Sequence, residues 1–234
     1  MADIKEITDT KIELEIDLKP KVHKVLNTVK NGLLESIVND QVFNVSMYNI
    51  DMFNTMLAHG KKVQEVFSGI ERILDLNNVN IDELNKILNN STTQNAYRLT
   101  NITNSTTQKN IQEALAFSQQ EIEKEAKIRA AQDYLDGKFA QREEGISLTS
   151  TQTYAEDTRQ IIRSNDSKLK SWHSIIDNRT RRGKFDHVKP NGQLRHIHEP
   201  FSVSGEYLRF PSDTSLGASL GNIINCRCSV MYKI

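Results

Sequence analysis

What this chain of 234 residues has least of is cysteine: two, Cys226 and Cys228, separated by a single residue. So few thiols exclude a disulfide framework, and a reducing compartment is the simpler assumption. Net charge is missing as well, with 30 Lys and Arg against 30 Asp and Glu, so no whole-chain attraction toward nucleic acid or membrane is expected. No stretch approaches the roughly 20 apolar residues of a membrane span, and the start Met-Ala-Asp-Ile-Lys lacks the apolar core of a secretion signal. Folding in the cytosol is the expectation, and the Asn-Val-Ser, Asn-Ser-Thr and Asn-Ile-Thr triplets then carry no glycosylation meaning. Also absent are a Gly-rich phosphate loop, a His-Glu-x-x-His helix and a nucleophile elbow, so an enzyme is not expected.

The neutral total hides an asymmetry. Residues 163–234 hold 12 Lys and Arg against 6 Asp and Glu, which leaves a net charge of −6 on residues 1–162. The two parts are expected to face different partners.

In the first part the apolar residues recur at helical spacing. Val22, Val25, Leu26, Val29, Leu33 and Ile37 define one buried face, and Met52, Phe53, Met56 and Leu57 define another. After a break placed at Gly60, Val63, Val66, Phe67, Ile70, Ile73 and Leu74 repeat the pattern, and a helical bundle is the natural packing. A short helix through Asp82, Leu84, Ile87 and Leu88 precedes an Asn- and Thr-rich stretch, Asn89 to Asn110, which reads as a loop or adaptable segment. Within it Asn-Ser-Thr-Thr-Gln occurs at residues 90–94 and again at 104–108, a spacing of fourteen residues or four helical turns, to which no role is assigned. Ile111, Leu115, Ile122, Ala126 and Ala130 then form a weaker stripe. Gly137 reads as a helix end, and a further helix follows Gly145, with Leu148, Ala155 and Ile162 along one side.

After Asn165 the pattern turns to short strands. Lys170 to Ile176 alternates about Trp172, Asn191-Gly192 marks a tight turn, and Tyr207 to Phe210 is a strand candidate. In the last nine residues Cys226, Cys228, Val230, Tyr232 and Ile234 share one face, with Arg227, Ser229 and Lys233 on the other. The fold class is therefore α+β, a helical N-terminal domain followed by a small β-rich C-terminal one. The division reads as 1–125 helical bundle and partner-binding domain, 126–164 connecting helices, and 165–234 C-terminal domain.

Across residues 126–232 several separated elements occur in a telling order. A Thr-rich helix end, Leu148 to Thr153 with Ala155 and Arg159, is followed by Lys170-Ser171-Trp172 and by Asp177-Asn178-Arg179-Thr180-Arg181. His187, the Asn191-Gly192 turn, Pro200-Phe201, Phe210-Pro211-Ser212-Asp213 and Asn225-Cys226-Arg227-Cys228 complete it. This order resembles the phage Mu F-like head-morphogenesis family of minor head, or minor capsid, proteins. The gap from Arg181 to His187 is longer than the family commonly has, and Asn191 stands where Asp is usual. Residues 1–125 carry no resemblance of their own. The resemblance implies a structural minor capsid protein inside the virion head near the portal, assembled in the host bacterial cytoplasm, with a role in head assembly and in DNA packaging or ejection. Its expected partners are portal and/or major capsid protein, with packaged DNA and self-association into a homo-oligomer as further options. A capsid-carried effector or enzyme, or a DNA-binding module of the head interior, is the alternative.

Two chemistries remain open at the level of residues. His187, Cys226 and Cys228 are zinc-ligand types, with Asp177, His196 or His198 as candidates for a fourth, and a structural zinc would staple a domain of marginal size. The same thiols could instead be small core residues, since their face continues into Val230 and Tyr232. A disulfide between them is disfavoured by the strand geometry of residues two apart. Asp177 with Arg179 and Arg181 reads as a structural ion pair. The remaining cations, Arg182, Lys184, Lys189 and Arg195, are candidates for DNA phosphate contacts.

Overall fold

A computed structural model describes residues 3–71 and 79–233; Ile73, Leu74 and Ile234 of the apolar patterns above lie outside them. Helix α1 (Ile4–Val38) starts at Asp3, whose carboxylate accepts the Glu6 backbone N–H at 2.7 Å and so satisfies one unpaired donor of the first turn. Its stripe from Val22 to Leu33 is buried as the spacing requires, and Ile37 packs beside it. Helix α2 (Asn49–Ile70) runs unbroken through Gly60. Glycine is needed there for close approach, because a Cβ would sit 2.5 Å from the Tyr154 ring.

Helix α3 (Ile81–Ser118) overturns the loop expected over Asn89 to Asn110. Asn and Thr are weak helix formers, but one face of this helix buries Leu84, Leu88, Thr92, Ala96, Leu99, Thr103, Thr107 and Ile111 at helical spacing. Tertiary contact along that face outweighs propensity. Both copies of the repeated pentapeptide lie within α3, and each buries one threonine, Thr92 and Thr107. The helix ends at Ser118, so Ile111 to Ala130 is not one stripe, and Ile122 in the connection is 94% exposed. Helix α4 (Lys124–Arg163) then continues through both Gly137 and Gly145, and residues 126–164 form one long member of the bundle rather than several connectors.

The rest is small and strand-based, which makes the chain α+β. Strands β1 (Leu169–His173), β2 (Leu194–His196) and β5 (Ser229–Lys233) form an antiparallel sheet in the order β2-β1-β5, with Trp172 opposite Val230. A separate hairpin joins β3 (Phe201–Val203) to β4 (Glu206–Leu208), and one helical turn, α5 (Leu220–Ile223), precedes the cysteines. Trp172, Phe201, Val203, Leu208, Phe210, Cys226, Cys228, Val230 and Tyr232 make its core.

What joins the two parts is the C-terminal half of α4. Every residue from Ser147 to Gln160 is buried, although most are polar. A helix buried on all sides is ordinarily apolar, and here hydrogen bonds offset the burial of polar groups, although the Tyr154 hydroxyl has no partner. Thr153 Oγ1 donates to the Ser212 carbonyl at 3.0 Å, Gln160 Nε2 to the Ile197 carbonyl at 2.8 Å, and Gln152 Nε2 to the Cys228 carbonyl. Toward the bundle, Asp157 accepts from Ser91 and, at 2.9 Å, from Asn95 Nδ2. Glu156 accepts from Lys11 Nζ, from Arg159 at 3.0 Å and from the Val230 backbone N–H at 3.2 Å. Arg159 and Arg163 both pair with Glu71, at 2.6 Å each. Burial pushes the Glu156 carboxyl up, but Lys11 and Arg159 outweigh it and the net direction is down. Lys11 moves down as well, through burial, against the pull of Glu156. The carboxylate faces two cations, so we read the pair as charged.

His59 on α2 is the one histidine turned into this interface, with Nε2 2.8 Å from Thr151 Oγ1 and 2% exposure. Burial pushes its pKa down to about 3. The folded state therefore binds fewer protons than the unfolded chain, so stability is full above the unfolded pKa of about 6.5 and declines as pH falls toward 3. Between pH 6.5 and 5 the loss is expected to be about 2 kcal/mol, read from urea midpoints, and His59→Gln is expected to flatten that slope. Equal slopes in the two proteins would refute the assignment.

Candidate metal centre and arginine loop

Strand β1 ends at His173, and residues 174–188 form a loop folded back over the segment that carries the cysteines. Ser174 begins it by donating its hydroxyl to the His187 carbonyl, while its own N–H goes to Asn191 Oδ1 at 2.9 Å. The loop's first turn is closed by Asp177, whose Oδ1 accepts the Arg179 backbone N–H at 2.8 Å, and by Thr180, which caps the Asp177 N–H at 2.8 Å. These are the local bonds that Asp and Thr offer in turns.

His187, Cys226 and Cys228 come together as the sequence suggested. The His187 Nδ1 lies 3.3 Å from Cys226 Sγ and 3.8 Å from Cys228 Sγ, and the three donor atoms lie within 4.8 Å of one another. All three residues are buried. Trp172 stands edge-on to the imidazole, centroids 5.9 Å apart, and to Phe201 at 5.4 Å. Sequence reasoning did not single out Asn222, which determines the proton on His187. The Asn222 amide nitrogen donates to Glu206 Oε2 at 2.7 Å and to the Val203 carbonyl at 3.3 Å, so its oxygen must point the other way. That oxygen is 3.3 Å from His187 Nε2. The ring therefore carries its proton on Nε2 and presents the Nδ1 lone pair to the sulfurs, the arrangement in which a second partner orients a ligating histidine. The Cys228 thiol is drawn well below its ordinary range by the Cys226 thiol and by His187, whereas burial drives Cys226 up.

Among the described residues this cluster has three members. Asp177 is engaged with Arg227 at 2.5 Å, and His196 and His198 are exposed around β2, so none of the expected fourth ligands joins it. The expected pairing of Asp177 with Arg179 and Arg181 side chains also needs correction. The guanidinium partner of Asp177 is Arg227, which shares Asp177 Oδ1 with the Arg179 backbone N–H, and both loop side chains go elsewhere. Arg179 reaches Glu144 on α4 at 3.3 Å, and Arg181 donates Nη2 to the Ile224 carbonyl. Asn225 takes a left-handed conformation, φ 55°, and gives its N–H to Thr149 Oγ1 at 3.0 Å.

The four expected phosphate contacts lie on the outside. Arg182, Lys184 and Lys189 are exposed and Arg195 partly so, and none forms an ion pair with a carboxylate among the described residues. Arg182 instead donates to the carbonyls of Asp177 and Thr180, at 3.1 Å each.

In comparisons with known proteins, no family model, no curated protein and no solved structure matches this chain.

The role given to Asn222 is testable by itself. Asn222→Leu leaves Glu206, the Val203 carbonyl and the His187 N–H without their partner, and is expected to cost about 1–3 kcal/mol in chemical denaturation. A loss well under that range would mean that the imidazole is held by packing alone.

Proposed function

We propose that this chain is a structural minor capsid protein of a tailed phage, of the Mu F-like head-morphogenesis kind. The observation that carries the reading is convergence. The separated pieces on which the resemblance rests, the Trp172 strand, the Asp177–Arg181 loop, His187 and the Asn225–Cys228 segment, fold against one another and against the Thr-rich part of α4. In this reading the β-rich unit is a rigid docking module near the portal vertex, in contact with portal or major capsid protein. The bundle supplies the surface for a partner or a second copy. The role is structural rather than catalytic, which the 2–3% exposure of His187 and both thiols supports, since a substrate does not reach them.

The ligand set fits a structural zinc. In a tetrahedral site the nitrogen-to-sulfur edge is about 3.6 Å, and the observed separations, 3.3 and 3.8 Å, bracket it. His187 Nδ1 and the two thiolates would hold the ion, three of the four protein ligands that a closed structural site uses. A water-sized cavity of about 10 Å³ adjoins the three residues. Zinc there would supply a cross-link between the loop and the last strand.

Proteomics of assembling and mature particles, with co-purification on portal protein, is expected to find the chain; its absence from both would end this reading. Purified tag-free protein is expected to hold close to one zinc per chain and to melt lower with chelator. Metal-free protein that is indifferent to chelator would return both cysteines to the core.

A second reading, DNA contact in the head interior, is favoured by the unpaired exposure of Arg182, Lys184 and Lys189. Four phosphate contacts including Arg195 imply a log–log salt slope of about −3 to −4 for duplex binding. A flat salt dependence would exclude it.

A further inference from the structure

Three guanidinium groups that the reading above does not use line a single pocket. Arg179 and Arg181 from the loop and Arg227 from the segment before β5 meet Gln141, Glu144, Gly145 and Leu148 of α4 around a mostly polar cleft of about 340 Å³. Its floor depends on close backbone approach, because a Cβ on Gly145 would stand 3.0 Å from Asn225 Oδ1. The cations are incompletely neutralised. Arg227 has Asp177 at 2.5 Å, and Arg179 has Glu144 at 3.3 Å, but that second pair is exposed at 63% and 64% and holds weakly in water. Arg181 is the informative one. Its Nη2 donates to the Ile224 carbonyl, while its Nη1 has no hydrogen-bond partner and is shut away from solvent, in a side chain that also lines the small cavity of the two thiols, so the guanidinium must turn to present that nitrogen to the cleft. A buried charged donor left unsatisfied is costly, and a planar fork is the group that matches an oxyanion.

We infer that this cleft binds a phosphoryl oxyanion, held by Arg181 and Arg227 on the β-rich side, with Arg179 released from Glu144 to close over it. The surface residues Arg182, Lys184 and Lys189 take no part. The same chemistry is offered by a small phosphorylated molecule and by a nucleic-acid backbone, and the test separates them. Inorganic pyrophosphate is titrated into the full-length protein by calorimetry at fixed ionic strength, and the titration is repeated in the presence of a short DNA duplex.

Saturable binding of pyrophosphate is expected, weakened about 10-fold by Arg179→Gln and by Arg181→Gln, as loss of a charge-assisted hydrogen bond implies. Because Arg181 also ties down the Ile224 carbonyl, Arg181→Gln could unfold the loop; Arg179→Gln, at an exposed position, is the variant that keeps its fold. Glu144→Gln removes the competing carboxylate and is expected to tighten binding a few-fold. Competition by duplex that disappears with Arg179→Gln assigns the site to a nucleic-acid backbone, and pyrophosphate binding without such competition assigns it to a small phosphorylated molecule. No detectable binding overturns the inference. So does binding that Arg179→Gln leaves unchanged, or that a combined Arg182→Gln and Lys184→Gln variant weakens equally.

Discussion

Three cations buried at the middle of this protein find a counter-charge on a different segment of chain. Lys11 of α1 meets Glu156 of α4, Arg159 and Arg163 of α4 meet Glu71 beyond the end of α2, and Glu156 also accepts the backbone N–H of Val230 in β5. Removing charges from water costs several kcal/mol per ion, and only good geometry with extra hydrogen bonds offsets it. Such a web adds little net stability compared with an apolar core, yet it tolerates few alternative arrangements. It therefore determines how bundle and sheet sit against each other. The arginine loop and the cysteine segment inherit their positions from that placement, since both rest on α4 through Thr149, Gln152 and Glu144.

How much of this was legible in the sequence differs by physical cause. The stripes on α1 and α2 and the inward face of Cys226, Cys228, Val230 and Tyr232 were readable, because burial there is apolar; the strand itself begins at Ser229, which is buried rather than on the outer face. The meeting of His187 with the cysteines was legible from residue types alone. The loop expected over residues 89–110 failed because Thr92, Asn95 and Thr107 are buried with their side chains hydrogen-bonded, which hydrophobic periodicity does not register. The breaks at Gly60 and Gly145 failed for a related reason, whereas a side chain at Gly137 would meet open space. At Gly60 and Gly145 the missing Cβ lets Tyr154 and Asn225 come close, a packing cause that looks the same in sequence as a helix end. Asn222 had no signal at all, since its role depends on Glu206 and Val203 across a turn.

The relay through Asn222 also shows how a site can be oriented without a charged partner. Glu206 accepts from Asn222 and from both the backbone and the hydroxyl of Ser219, which holds its carboxyl below the usual range. The negative charge stays near the surface. Only an amide dipole is passed inward to the imidazole, so the interior avoids the desolvation that a directly bonded carboxylate would bring.

The uninterrupted burial of α4 from Ser147 to Gln160 has one more implication, which concerns divisibility. Cutting the chain ahead of the first strand would strip the sheet of the acceptors and donors that close its turns, and would open Gln152, Thr153, Glu156 and Gln160 to water on one side. Neither piece inherits a finished surface. The β-rich unit is finished only with that helix in place, so the segment that must fold together begins well inside the helical part of the chain.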